Sequence, residues 1–314
     1  MDKAHRETDK ILADIIEKMT PIFEKVNSKV IERLKKYLQK FESQIAEHEK
    51  MVDDGEMTEA EFNRWFVSTV TTGKEWDKVR DDIAEDYHTA TEDAMKLAGL
   101  GLASIYLSNQ SYTEQMIASE ISRMFGKHVH FAKKKKKRLL PKSPDPVKNR
   151  RWHRRKIESV IRSELKKGHS IDKIAKKLNR VTNMDRVSAY RAARTGATSA
   201  ENMARIDSMI RAQDEFGIQY DKIWVAVLDN RTRTSHRVIN GERVPCEQMF
   251  SNGLMFPGDE AGDPAEVYNC RCTLYWAPNG MEVDVEEGPD GMGKLEWSAQ
   301  KPVSKPYPKW RNRQ

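Results

Sequence analysis

Two short strand-like runs bracket the most chemically concentrated part of the 314-residue chain. The first run covers residues 223–228 and the second covers residues 273–276. Between them, Asn240-Gly241 lies between β-branched segments, and this dipeptide favours the two positive-φ residues of a type I′ turn. We therefore expect a hairpin over residues 237–244 and a small antiparallel β-sheet in this region.

Apolar residues before this region recur at three- and four-residue spacing, which indicates amphipathic helices. Residues 3–50 carry such a stripe, and Pro21 is expected to interrupt it. A helix from about residue 74 is expected to end at Gly99. Asn183 is expected to cap a long helix that ends at Phe216. The predicted fold class is α+β, with a mostly helical N-terminal domain followed by long helices packed with the small antiparallel sheet.

The composition changes abruptly after residue 126, which predicts a domain boundary. Residues 127–156 hold 14 Lys or Arg and one acid, Asp145, so the rest of the chain is mildly acidic. Prolines at positions 141, 144 and 146 bar a regular helix there. The predicted parts are a helical domain at 1–126, a basic proline-containing linker at 127–149, a second domain at 150–276 and an extended C-terminal arm at 277–314.

Composition argues against a membrane or secreted protein. Charged residues make up 33% and hydrophobic residues 38% of the chain, and the mean hydropathy is −0.78. No apolar run approaches the roughly 20 residues that a membrane span needs. The first residues lack the apolar region of a signal peptide. All three cysteines follow residue 245, which fits a reducing compartment better than a disulfide scaffold.

The polar segment from Asp229 to His236 has two interpretations. A histidine near an aspartate is suited to acid–base catalysis, and the arginines Arg231 and Arg233 suit phosphate binding. Alternatively, the arginines pair with carboxylates and hold a small domain together, which we favour because no nucleophile motif or phosphate-binding glycine loop accompanies them. Asp229 is then expected to bond to Arg231, Arg233 or Arg271, and its removal to unfold the domain if the network is buried.

His236, Cys246, Cys270 and Cys272 form a candidate structural zinc site, because three thiolates and one imidazole are an accepted ligand set. Otherwise no cofactor is expected. The Cys-x-Cys spacing is less usual than Cys-x-x-Cys, so buried free thiols are the main alternative. A disulfide between Cys246 and Cys270 or Cys272 is a further alternative, although a reducing compartment disfavours it.

The basic segment is interpreted as a sequence-independent contact with double-stranded DNA, because lysine runs release counterions from phosphates. A solvated linker, an RNA contact and a contact with a scaffold protein are the alternatives. The candidate DNA-binding residues are Lys133, Lys134, Lys135, Lys136, Lys137, Arg138, Arg150, Arg151, Arg154 and Arg155.

Taken together, the motifs resemble the phage head morphogenesis domain of the Mu F-like minor head proteins. The resemblance spans residues 150–276 and rests on Trp224, Asp-x-Arg-Thr-Arg-x-x-His at 229–236, Gly241 and Asn-Cys-Arg-Cys at 269–272. Ala193-Arg194-Thr195 is similar to the family's Ala-Arg-Thr-Glu signature, except that Gly196 stands where Glu is usual. The predicted structural network is Arg194, Trp224, Asp229, Arg231, Arg233, His236, Asn269 and Arg271.

The resemblance implies a minor capsid protein that acts in procapsid assembly and has no established reaction. Its expected partners are portal, capsid and scaffold proteins and packaged double-stranded DNA, and no membrane. Its expected location is the virion, at the capsid interior or portal vertex, and the host cytoplasm during assembly. Two other classes stay open: a nuclease or toxin-like transferase with a site around Asp229–His236, and a plain nucleic-acid-binding module.

Overall fold

The computed structural model describes residues 2–132, 146–165 and 171–281. The predicted contacts Lys133 to Arg138 and the predicted arm beyond residue 281 lie outside these residues. The helices are α1 (Lys3–Gln39), α2 (Glu42–Asp53), α3 (Glu59–Thr69), α4 (Lys74–Phe125), α5 (Pro146–Leu165), α6 (Ile171–Phe216), α7 (Thr234–Val238) and α8 (Pro264–Val267). The strands are β1 (Tyr220–Val225), β2 (Arg243–Pro245) and β3 (Thr273–Pro278).

The three strands form one antiparallel sheet in the order β2-β1-β3. Tyr220 lies opposite Pro278 and Val225 lies opposite Thr273, so β3 starts at the end of β1. All six residues of β1 are buried, because the central strand is covered on both faces. The predicted α+β class is confirmed.

The helices continue through two residues that were expected to end them. Pro21 lies inside α1, where it removes one backbone hydrogen bond, yet Met19 and Phe23 beside it are almost fully buried. Gly99 lies inside α4 between the buried residues Ala98 and Leu102. In both places a continuous buried stripe outweighs the local cost of the helix breaker.

The expected hairpin over residues 237–244 is wrong. Residues 234–238 form the short helix α7, and β2 is only three residues long. Gly241 has a φ of +83°, but Asn240 does not share the positive φ that a type I′ turn requires. The Asn240 side chain instead accepts a hydrogen bond from the backbone N–H of Ala226, at 2.9 Å between Oδ1 and N.

The chain divides into two compact units, and three of their four boundaries fall inside α1, α4 and α6. Unit 1 contains the described residues of 1–16, 98–141 and 191–314, and unit 2 contains those of 17–97 and 142–190. These units interleave along the chain, whereas the sequence suggested consecutive domains. Each has its own apolar core, which includes Trp224 and Leu274 in unit 1 and Trp76 and Tyr87 in unit 2. None of the described helices is long and apolar enough to cross a membrane.

Candidate functional site

The segment after β1 folds into a turn that fixes the Asp229 carboxylate. Asp229 Oδ1 accepts a hydrogen bond from the backbone N–H of Arg231 at 3.0 Å. The same oxygen accepts one from the Thr232 hydroxyl at 3.1 Å. This is the local geometry that aspartate favours in turns, so the Asp-x-Arg-Thr sequence positions its own carboxylate.

Arg271 then holds Asp229 from a distant part of the chain. Its Nη1 lies 2.7 Å from Asp229 Oδ2, and its Nη2 lies 2.6 Å from Oδ1, so the pair is bidentate. These bonds, with smaller contributions from Arg231 and Thr232, hold the pKa of Asp229 well below its ordinary range. Arg231 Nε is 3.7 Å from Asp229, and Arg233 instead donates to the Tyr268 carbonyl. Arg271 is therefore the main partner of Asp229.

His236, Cys270 and Cys272 form a buried group that we call the Cys–His cluster. His236 Nδ1 lies 3.4 Å from the Cys272 sulfur and 3.7 Å from the Cys270 sulfur. The three candidate ligand atoms all lie within 4.8 Å of one another. The three residues are at most 3% exposed, and the edge of the Trp224 ring system packs against the imidazole at 5.0 Å between centroids. The arrangement presents one nitrogen and two sulfur donors to a common point.

The Asn-Cys-Arg-Cys motif contributes to both the Cys–His cluster and the Asp229–Arg271 pair. Asn269 has a φ of +57°, a conformation that asparagine tolerates better than most residues. Its N–H donates to Thr195 Oγ1 at 3.2 Å, and the Thr198 hydroxyl donates to the Cys270 carbonyl at 2.6 Å. These bonds tie the motif to α6. Both cysteines are buried, whereas the residue between them reaches the more exposed Asp229.

The two thiols are unequal. A hydrogen bond with Cys272, followed by bonding and attraction to His236, lowers the pKa of Cys270. The same contact and burial raise the pKa of Cys272 well above its ordinary value. Loss of one proton from the pair is therefore favoured, and loss of the second is opposed.

Cys246 does not join the cluster, so the four-ligand site expected from the sequence is wrong in this one member. Its backbone N–H bonds to the carbonyl of Tyr220, at the start of β1, whereas the cluster lies beyond Val225 at the other end. Five residues of strand separate these ends by roughly 16 Å. Burial raises the pKa of Cys246 to about 12, and the buried amine of Lys222 partly opposes this increase.

The four candidate DNA-binding arginines of α5 divide into two pairs. Arg150 forms a bidentate pair with Glu85, at 2.5 and 3.0 Å, and Arg154 Nε lies 2.8 Å from Asp81. Arg151 and Arg155 are exposed. Acids of α4 therefore offset the charge of two candidate DNA-binding arginines, while Arg151 and Arg155 face solvent.

Arg194 is exposed on α6 and is not among the residues that bond to Asp229. Gly196, two residues later, has a clear packing role. A Cβ atom at this position would lie 2.7 Å from the Leu102 side chain, so α6 approaches α4 closely here. Glycine in place of the family's usual glutamate permits this approach.

Sequence reasoning missed a buried ionic network on α6. Arg205 donates to both carboxylate oxygens of Asp2, at 2.7 and 3.0 Å, and to the Leu274 carbonyl at 2.7 Å. Glu201 Oε1 lies 2.8 Å from His5 Nδ1 and accepts from the Thr273 hydroxyl at 2.5 Å. The sequence did carry a signal for this network. Glu201 and Arg205 are four residues apart, on a helical face that also carries small buried alanines.

Glu266 was also missed. It lies in α8, within the loop that joins β2 to β3, and Asp263 caps this helix by accepting the Ala265 N–H at 2.7 Å. Glu266 Oε2 lies 3.0 Å from His236 Nε2 and accepts the Ser235 hydroxyl at 2.8 Å. Asp-Pro is a recognisable helix start, but nothing in the sequence connects this helix with His236.

These motifs thus build a buried Cys–His cluster with an Asp–Arg pair beside it, on a small sheet packed with a long helix. Residues 155–275 match the family model described as Phage Mu protein F like protein. The resemblance to the Mu F-like family predicted from the motifs is therefore confirmed over this segment.

A particular relative extends the likeness beyond that segment. The chain is 24% identical over 274 residues to Minor head protein GP7 of Bacillus phage SPP1, which covers 82% of this chain and 86% of that protein. It is 29% identical over 133 residues to NAD(+)--arginine ADP-ribosyltransferase EFV of Enterococcus faecalis, which covers 42% of this chain and 27% of that enzyme. No solved structure matches the chain. The family model and the phage relative support a role in phage head morphogenesis as a virion component.

Proposed function

We propose that this protein is a minor head protein that acts during procapsid assembly at the portal vertex and contacts packaged DNA. The observation that carries the proposal is the extent of its likeness to a minor head protein, which covers 82% of this chain. Because 274 aligned residues exceed the Mu F-like segment, the likeness includes much of the helical N-terminal part.

The geometry of the motif residues supports a structural role. Both carboxylate oxygens of Asp229 accept hydrogen bonds from Arg271. His236 is 1% exposed, with Nδ1 3.4 Å from the Cys272 sulfur and Nε2 3.0 Å from the Glu266 carboxylate. A general base has to reach its substrate, and these two groups already contact protein atoms on each side. The motif therefore stabilises the domain, and we assign function to the surfaces.

The proposed DNA contact rests on charge. Arg151 and Arg155 are exposed on α5, shortly after the run from Lys133 to Arg138 in the sequence. Such a concentration of positive charge in an otherwise acidic chain favours a local polyanion contact. No base-reading arrangement is invoked, so binding is expected to be independent of DNA sequence.

Incorporation into procapsids tests the assembly role. The chain is co-expressed with the major capsid and scaffold proteins of the same phage, with and without the portal protein, and procapsids are isolated by sedimentation. The chain should co-sediment with procapsids that contain the portal and be depleted from those without it. Equal incorporation in both would refute the portal placement, and absence from both would refute the assembly role.

The partial likeness to an ADP-ribosyltransferase supports one rival function, transfer of ADP-ribose from NAD⁺ to arginine. The purified full chain is incubated with labelled NAD⁺ and an arginine-rich acceptor protein, beside Asp229→Asn. We expect no label above that of a reaction without protein. Label transfer by wild type that Asp229→Asn abolishes, with its fold intact, would replace the structural interpretation with an enzymatic one.

A further inference from the structure

The separations within the Cys–His cluster agree with those of ligands around one tetrahedral metal ion. Bonds of about 2.3 Å from zinc to sulfur and about 2.0 Å to nitrogen place ligand nitrogen and sulfur about 3.6 Å apart. The distances from His236 Nδ1 to the two sulfurs are 3.4 and 3.7 Å. The donors are therefore spaced for a shared ion without rearrangement of the backbone.

The surroundings of His236 resemble those of a metal-bound histidine. Nδ1 faces the sulfurs, while Nε2 lies 3.0 Å from the Glu266 carboxylate. The contact has the distance of an ion pair and not the alignment of a hydrogen bond, but the negative charge of the carboxylate favours a proton on the outer nitrogen and leaves the inner one as a ligand. The Ser235 hydroxyl, 2.8 Å from Glu266, holds this carboxylate in place.

The charge of the cluster also fits a divalent cation. Two cysteine thiols that bind zinc release two protons to solvent, and the resulting thiolates cancel the double positive charge. The neutral product suits a site whose three residues are at most 3% exposed and which the Trp224 ring adjoins. Thiolate and imidazole donors together favour zinc over oxygen-seeking cations such as magnesium or calcium.

We propose that His236, Cys270 and Cys272 bind one Zn²⁺ ion, with Glu266 positioning the histidine. Among residues 2–132, 146–165 and 171–281, no fourth His, Cys, Asp or Glu donor belongs to the group, so these residues supply three of the four tetrahedral ligands. The ion would join α7 to the segment that leads into β3, and so stabilise the Mu F-like domain. This proposal is independent of the proposed role in the procapsid.

Elemental analysis of the full chain, purified in reducing buffer and freed of loosely bound metal by gel filtration, tests the site. We expect about one zinc per chain, and a reduction of roughly tenfold or more in Cys270→Ser and Cys272→Ser. Cys246→Ser is the matched control, because this third buried cysteine lies outside the cluster, and it should retain full zinc. Zinc retained by both cluster variants would overturn the assignment.

A second measurement does not depend on stable variants. Metal is removed from wild type and Cys246→Ser with a chelator, and Co²⁺ is then added. In a tetrahedral site with sulfur ligands, Co²⁺ gives visible ligand-field bands and near-ultraviolet thiolate absorption. Both proteins should show these bands, and zinc should abolish them. A folded wild type that retains no zinc and gives no cobalt bands would refute the proposal, as would preferential retention of copper.

Discussion

At the scale of single residues, Arg271 can bond to Asp229 at the surface because its neighbours Cys270 and Cys272 are buried. Successive residues in an extended segment point in opposite directions, so two buried thiols present the arginine between them to the surface. There it meets Asp229, whose own turn has already fixed the carboxylate. One tetrapeptide thereby links the core to the surface of the domain.

Asp229→Ala should leave the domain folded and lower its melting temperature moderately. The side chains of Asp229 and Arg271 are 32% and 37% exposed, so water can solvate the unpaired guanidinium. The unfolding expected from the sequence assumed a buried network, and this exposure removes that assumption.

Thermal melting by circular dichroism measures the effect. Arg231→Ala, which removes a side chain 75% exposed, is the control and should change the melting temperature less. Loss of the folded signal in Asp229→Ala at room temperature would contradict this prediction.

The sequence was better at indicating which residues form the site than at indicating which of them bond to each other. Asp229, His236, Cys270 and Cys272 were all singled out from their spacing. The partner of Asp229 was open because Arg231, Arg233 and Arg271 offer the same guanidinium, and only the fold shows which one arrives in bidentate geometry. Cys246 was grouped with the other thiols because sequence distance does not show that it lies at the opposite end of β1.

At the scale of elements, the loop between β2 and β3 depends on a close approach to α6. Gly258 has a φ of +81°, and a Cβ there would lie 2.8 Å from the backbone nitrogen of Ser199. Gly253, in the same loop, has a φ of +78° and open space around it. Both glycines adopt a positive φ, and they differ only in whether neighbouring atoms leave space for a Cβ atom.

Gly253→Ala should lower the free energy of unfolding by about 1–2 kcal/mol, the cost of the left-handed conformation. Gly258→Ala should lower it by clearly more, because the helix backbone cannot move aside as a flexible side chain can. Urea unfolding of both variants measures the difference. Equal losses would show that the loop does not press on α6 at this point.

Helix α5 offers a matched test of the proposed DNA contact. Replacing exposed Arg151 and Arg155 together with Gln should weaken binding to mixed-sequence duplex. The slope of log affinity against log salt should fall by about 0.9 for each phosphate that the variant no longer neutralises. Replacing Arg150 and Arg154, which pair with Glu85 and Asp81, should change the slope less. Fluorescence anisotropy over a salt series measures both. Unchanged slopes in the first variant would exclude these two arginines from the DNA interface.

The type of most helices and strands was easier to predict from the sequence than their first and last residues. Three- and four-residue spacing correctly indicated helices, and the apolar runs correctly indicated β1 and β3. Local breaker signals failed at Pro21 and Gly99 because their effects are small beside the burial of the surrounding stripe. Asn240-Gly241 failed as a hairpin signal because Asn240 bonds to Ala226 instead of adopting a positive φ.

At the scale of the whole molecule, the first residues of the chain are part of the core of unit 1. His5 is 7% exposed, and its Nδ1 lies 2.8 and 3.0 Å from the two Glu201 oxygens. Burial opposes the protonation of His5, but Glu201 and, more weakly, Asp9 outweigh it and raise its pKa above the ordinary value. Arg205, which also bonds to Asp2, moderates this increase.

A raised pKa in the folded state means that protonated His5 stabilises the fold. This contribution is complete below the unfolded pKa of about 6.5 and is lost as pH rises through the folded value. His5 should therefore contribute a difference in melting temperature between about pH 6 and pH 9, with the higher value at pH 6, and His5→Gln should remove this difference. Replacing the exposed His130 with Gln should leave the difference unchanged. Parallel pH profiles for wild type and His5→Gln would rule out this contribution.

The buried guanidinium of Arg205 also imposes an order on folding during synthesis. Its acceptors include Asp2 and the Leu274 carbonyl in the last described strand. The ribosome makes these residues far apart in time, and a buried cation without its full set of acceptors is strongly destabilised. Unit 1 can therefore close only after β3 has emerged from the ribosome. Until then its amphipathic helices stay exposed, so this is the stage at which the nascent chain most needs protection from aggregation.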